Sequence, residues 1–292
     1  MRSKERELVA MKAAKYIEHR IGEITTDIAM VLGTGWSITL DEMRVETIMN
    51  LEDIPGFEHL KQLPQISGHE RRLIYGKIGG VPLLALQGRI HMNESLNQEL
   101  IGHMVRLQVE MLLQLGVKTL ILTCAAGSLH RAIPVGSIVV INGFVTLWAP
   151  ENLEGGEFCN PEDTLSEKLQ HLAFMVGRNG EIDKTLTTRG GYAMLRGPSF
   201  EGRRYDKKLI RDVGGIHCVG MSIIPEARVA ALYEDVDVLG LAFITNNDTE
   251  EHSHDTNLNR ALAAGPRLKK FITLLLYNIF NQKIVETSFP SI

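Results

Sequence analysis

The chain has 292 residues, 44% hydrophobic and 23% charged, which is enough apolar material for a sizeable buried core. A net charge of -4 without a long basic run speaks against nucleic acid as the main partner, and no apolar run approaches the ~18 residues of a membrane span. Cys124, Cys159 and Cys218 are odd in number and lack metal-ligand spacing, which speaks against both a disulfide framework and a cysteine metal site. No signal-peptide pattern opens the sequence, so a reducing, cytoplasmic setting is expected.

Apolar positions at Leu8, Met11, Ala14 and Ile17 predict a helix over 5–20, stopped at Gly22. A strand over 28–32 then runs into Gly33-Thr34-Gly35. A glycine turn straight after a strand lets backbone amides approach a phosphate. Ile38 stands where a dinucleotide fingerprint needs its third glycine, so taken alone the stretch reads as a tight turn. Two strands over 72–86 flank Gly79-Gly80 as a hairpin. The second leads into Gln87-Gly88-Arg89-Ile90-His91-Met92. Arg89 and His91 are two apart and share a side of an extended segment, either as a surface pair or as an anion clamp.

A helix over 97–115 ends at Gly116. The strand over 119–123 is apolar throughout, as a central parallel strand with both faces covered should be. It leads into Cys124-Ala125-Ala126-Gly127, small residues that leave room for a ligand. A strand over 137–141, an irregular stretch over 143–161 and a helix over 165–176 follow. A short strand over 192–195 enters Gly197-Pro198-Ser199-Phe200-Glu201, a turn that exposes an aromatic ring beside a carboxylate.

The strand over 216–219 breaks at Gly220 into Met221-Ser222 and a helix over 226–234, with Pro225 in its first turn. A hydroxyl and backbone amides at the rim of a sheet, next to a helix start, are where α/β proteins bind anions. A strand over 238–245 ends at Asn246-Asn247-Asp248, and a polar segment with His252 and His254 precedes a helix over 258–280. The two histidines lack a third metal ligand at a convincing spacing. Strands and helices alternate throughout, which predicts one α/β domain over 1–292 with a large, mixed, mostly parallel sheet flanked by helices.

The stretches GTGWS, SGHERR, GRIHM, CAAGSL, GPSFEG, VGMSIIPE and ITN resemble, in order and spacing, those of the trimeric purine nucleoside phosphorylases. The resemblance covers about 28–275. It implies a partly barrel-like sheet, a homotrimer, and no metal or organic cofactor, with inorganic phosphate as co-substrate. The implied partners are a purine nucleoside and phosphate, with no nucleic acid and no membrane. The implied reaction is the reversible phosphorolysis of 6-oxopurine (deoxy)nucleosides such as inosine and guanosine to free base and (deoxy)ribose 1-phosphate, a purine-salvage step.

Breaking an N-glycosidic bond leaves positive charge on the sugar and negative charge on the purine, as in glycoside hydrolysis. Phosphate must therefore sit beneath the anomeric carbon as nucleophile and counter-charge. By the resemblance Thr34, Arg89, His91, the Ala125 amide and Ser222 hold that phosphate, and His69 closes over it. Glu201 and Asn246 take the purine, with Phe200 packed against it. A carboxylate accepts from N1–H and a carboxamide donates to O6 or N7. Asn246, Glu201 and His91 carry the catalytic roles.

The sequence departs from the family pattern around the sugar. Met221 lies against the ribose by the motif, but Asn93 replaces a ribose-contacting tyrosine and Cys124 replaces an asparagine. Asn160-Pro161 stands where the family has a Phe-Pro that reaches the neighbouring subunit, with Phe158 as a substitute. His252 and His254 both remain candidates for the 5′-hydroxyl contact. The alternatives are a 5′-methylthioadenosine phosphorylase, for which Asp248 speaks, and a weakly active nucleoside-binding paralogue.

Overall fold

A strand that is apolar on both sides needs cover on both faces, and the central strands here have it. The computed structural model describes residues 3–65, 69–179, 182, 186–202, 205–212, 216–247 and 253–288. Its sheet has nine strands: β1 (Ile28–Leu32), β2 (Met43–Asn50), β3 (Arg72–Ile78), β4 (Val81–Gln87), β5 (Thr119–Ser128), β6 (Ile138–Val145), β7 (Thr187–Met194), β8 (Ile216–Gly220) and β9 (Asp237–Asn246). Their spatial order is β2-β3-β4-β1-β5-β8-β7-β6-β9, and β9 pairs back onto β5. The last five strands of that order therefore close into a ring, with β1 to β4 as a wing attached at β5. This is the mixed, partly barrel-like sheet the resemblance implies. The β1–β4, β1–β5, β5–β9, β6–β7 and β7–β8 pairs are parallel, and β2–β3, β3–β4, β5–β8 and β6–β9 are antiparallel.

The helices are α1 (Ser3–Ile21), α2 (Gln98–Gln114), α3 (Glu167–Gly177), α4 (Asp206–Asp212), α5 (Ile224–Ala230), α6 (His254–Ala263) and α7 (Gly265–Ser288). Side chains alternate across a strand, and β1 shows it. Ala29 and Val31 join the core beneath α1, α2 and α5, whereas Ile28, Met30 and Leu32 join the core beneath α3 and α7. Leu120 and Leu122 against Ile121 repeat the pattern in β5. Burying such a side chain contributes about 1.5–3 kcal/mol each.

Several elements differ from the expectation, each for a physical reason. β5 continues through Cys124-Ala125-Ala126-Gly127 to Ser128, because β9 pairs beside it as far as Gly127 and β8 pairs with Gly127 and Ser128. β6 runs to Val145 and β7 starts at Thr187, paired with each other. β2 carries mostly exposed side chains and an irregular register, the signature of an outer strand with no apolar run to announce it. α5 begins at Ile224 and ends at Ala230, earlier than periodicity indicates. The final helix is two helices, separated at Ala264.

Candidate active site

One cavity collects the ends of β1, β4, β5, β8 and β9, His69 ahead of β3, the Phe200-Glu201 turn and α6. From the wing it takes Thr34, His69, Arg89, His91 and Asn93; from β5 it takes Cys124, Ala125, Ala126 and Gly127. The remaining walls are Phe200, Glu201, Met221, Ser222, Thr245, Asn246 and Asn257. His252 lies outside the described residues. His254 opens α6, but its side chain also lies outside them.

Arg89 forms the most highly charged part of the wall. It is 1% exposed and paired through Nε with the equally buried Glu226, at 2.9 Å. That pairing offsets charge, yet the two terminal guanidinium nitrogens have no hydrogen-bond partner among the described residues. Buried donors in that state are costly unless a ligand satisfies them. A planar fork of this kind matches the oxygens of phosphate or carboxylate.

The two histidines are held differently. His91 Nδ1 accepts the Asn93 N–H at 3.1 Å, so in the neutral ring the proton sits on Nε2. His69 Nδ1 lies 3.1 Å from the Arg89 carbonyl, which can only accept, so Nδ1 donates there. The rings are 6.1 Å apart. Glu94 completes the mount of His91. Its Oε1 accepts the His91 N–H at 3.2 Å, and its Oε2 accepts from Arg71 at 2.7 Å.

Burial pushes the Glu94 carboxyl up to about 7 despite the Arg71 guanidinium beside it. The folded chain therefore holds this proton more tightly than the unfolded chain, whose carboxyl sits near 4.5. Stability should fall as pH rises through that window, by up to about 3 kcal/mol. Thermal melts of wild type and Glu94→Gln test this: the wild-type advantage should shrink steadily from about pH 4.5 to about pH 7. A constant gap would refute it.

Ser222 is positioned through its backbone. The Tyr192 hydroxyl donates to its carbonyl at 2.9 Å and accepts its N–H at 3.2 Å, leaving the side-chain hydroxyl to the cavity. Ile223 follows at φ 78, a left-handed conformation that costs a β-branched residue on the order of 1–3 kcal/mol. That bend turns β8 into α5. Burial pushes the Cys124 thiol up to about 12, so it stays neutral at physiological pH and is no nucleophile.

The opposite wall is carboxamide and carboxylate. Asn246 is 3% exposed, and its Oδ1 accepts from the Thr245 hydroxyl at 3.1 Å, which leaves Nδ2 as donor. A Cβ on Gly127 would come within 2.8 Å of that Nδ2, so the β5 glycine is what lets the amide fit. Glu201 is 9% exposed, beside a half-exposed Phe200. Asn93 donates to Met221 Sδ at 3.7 Å, and Gly197, at φ 64, packs so closely that a Cβ would sit 2.5 Å from both. Asn257, one turn into α6, escaped the sequence reading, which took the nearby histidines as its signal. An Arg260 to Thr245 carbonyl bond of 2.7 Å ties its helix to the end of β9.

The phosphorylase superfamily model matches residues 27–276. A purine nucleoside phosphorylase of Mycobacterium leprae is 31% identical over 93% of this chain and 95% of its own length. Purine nucleoside phosphorylase 1 of Bacillus subtilis is 29% identical over 80% and 84%. Among solved structures, isoform 2 of the Schistosoma mansoni purine nucleoside phosphorylase, in complex with cytosine and ribose-1-phosphate, superposes with a TM-score of 0.77 at 25% identity, covering 92% of this chain and 95% of that one.

The chain belongs to the phosphorylase superfamily. It is an enzyme, a pentosyltransferase of the purine nucleoside phosphorylase type.

Proposed function

We propose that the enzyme cleaves 6-oxopurine (deoxy)nucleosides with phosphate, giving free base and (deoxy)ribose 1-phosphate. The observation that carries this is the buried Arg89 guanidinium, ion-paired to Glu226 through Nε with its two terminal nitrogens left without a hydrogen bond, in the same cavity as Glu201 and Asn246. Phosphate is assigned to Thr34, His69, Arg89, His91, the Ala125 amide and Ser222. Glu201 accepts from purine N1–H, Asn246 donates to O6 or N7 as negative charge builds on the base, and Phe200 packs on the ring. Met221 and Asn93 line the ribose. Asn93 is drawn toward Met221, which gives the sugar a less polar neighbour than a free carboxamide would. No cofactor is assigned. The ribose-1-phosphate held by the Schistosoma mansoni protein is the product this reading requires.

Phe158, 95% exposed, supports a homotrimer in which it reaches a neighbouring site. No helix among the described residues is long and apolar enough to cross a membrane, and a cytoplasmic location is assigned with the same reading.

Base release from inosine, adenosine and 5′-methylthioadenosine, with and without phosphate, tests the proposal. Phosphate-dependent release of hypoxanthine is the expected result. Release from methylthioadenosine alone would replace it with the methylthioadenosine reading, and binding without turnover with that of a weakly active paralogue. Light scattering on the same preparation should give three subunits; an active monomer would remove the trimer assignment.

A further inference from the structure

Glu201 is nearly out of contact with solvent, and a buried carboxylate needs a counter-charge. One is supplied from behind the cavity. Lys207, on α4 and itself 4% exposed, places Nζ 3.5 Å from a Glu201 carboxylate oxygen. It is absent from the cavity wall, so it reaches substrate only through Glu201. Two hydrogen bonds tie the start of α4 to Gly202, next to Glu201. The Lys207 N–H donates to the Gly202 carbonyl at 3.1 Å, and the Gly202 N–H donates to the Asp206 carboxylate at 2.8 Å. The ammonium is thereby fixed behind the carboxylate.

We infer that Lys207 is a positioning residue for purine choice, holding Glu201 as an oriented acceptor so that the site takes a base bearing N1–H. This rests on the reading of Glu201 given above. A purine whose N1 is bare requires a donor, which Glu201 becomes only on taking a proton. Among the described residues, the other charged or titratable groups near Glu201 are Asp206, engaged with Gly202, and Arg89, His69 and His91, which line the same cavity. Among the described residues only Lys207 is within ion-pair distance of it.

The test compares wild type, Lys207→Met, Lys207→Arg and Lys207→Gln, with inosine and adenosine as probes. Lys207→Met should lower inosine kcat/KM by roughly 10- to 100-fold near neutral pH, the loss expected when a charge-assisted contact goes. It should also raise the adenosine-to-inosine ratio. Lys207→Arg should restore both. If Lys207→Met does not fold, as judged by its melt, Lys207→Gln carries the same expectations.

A cycle with Glu201→Gln separates positioning from structure. Once the carboxylate is gone, removing the ammonium should cost inosine turnover nothing further. A folded Lys207→Met or Lys207→Gln variant with unchanged inosine kcat/KM and substrate ratio overturns the inference, as does full additivity in the cycle. Wild type that fails to use any 6-oxopurine nucleoside overturns instead the reading beneath it.

Discussion

Arg89→Met should abolish phosphate-dependent cleavage and weaken the fold at once. Losing a preorganised charged donor set at the reacting anion costs roughly 10²- to 10³-fold in rate. The same change strands Glu226, 2% exposed, without its counter-ion, which costs about 3–5 kcal/mol of stability. The two effects can be separated. Adding Glu226→Gln should recover much of the stability but none of the activity. Arg89→Lys keeps the charge but not the fork, so it should melt nearer wild type while remaining slow. Phosphate should raise the wild-type melting temperature, since a ligand at a hundred times its Kd adds about 2.7 kcal/mol, and it should leave Arg89→Met unmoved. An Arg89→Met enzyme that still saturates with phosphate would place the anion elsewhere.

Asn246→Asp should exchange one purine preference for another. The Thr245 hydroxyl can keep its bond to one oxygen of the new carboxylate, so the side chain stays in place. What changes is the atom beside Gly127, which goes from an N–H donor to an oxygen acceptor. That oxygen repels the carbonyl of a 6-oxopurine and accepts from a 6-amino group. Inosine kcat/KM should fall by about 10²-fold, the value of one well-placed transition-state hydrogen bond of about 3 kcal/mol. Adenosine turnover should rise relative to it. Steady-state rates for the two nucleosides check this, and an unchanged ratio would remove Asn246 from base recognition.

The sheet and most of the cavity wall were legible because they rest on local pattern. The β1 strand announces itself by five apolar residues ending at glycine, and small residues at Cys124 to Gly127 mark where a backbone can approach a ligand. What escaped depends on partners distant in sequence. β5 was cut short because its last residues are extended by β9, not by their own side chains. Lys207 looks like one basic residue in a polar run, and only the fold turns it onto Glu201. Asn257 and the 5′-hydroxyl candidates show the limit on the other side. A histidine draws attention by its chemistry, while an asparagine on a helix carries no such flag until the fold sets it in the cavity wall. The 5′-hydroxyl contact stays with the proposal, since His252 and the His254 side chain lie outside the described residues.

The closed ring also bears on how the chain is made. β5 pairs in parallel with β9 from Thr119 against Asp237, which is 118 positions later (237 − 119). A chain emerging in order completes β1, β4 and β5 long before the partner for the other edge of β5 exists. β8, which also borders β5, is itself barely twenty positions ahead of β9. Until both arrive, an almost wholly apolar strand offers an open edge, the kind of surface that templates association between chains. Pairings of such sequence separation form slowly, because the loop must close before any contact rewards it. Any shortened product ending before Asp237 keeps that edge permanently, and with it lacks Asn246 and Asn257. The ring that encloses the cavity thus makes the last fifth of synthesis decide both whether the protein remains monodisperse and whether it has a site at all.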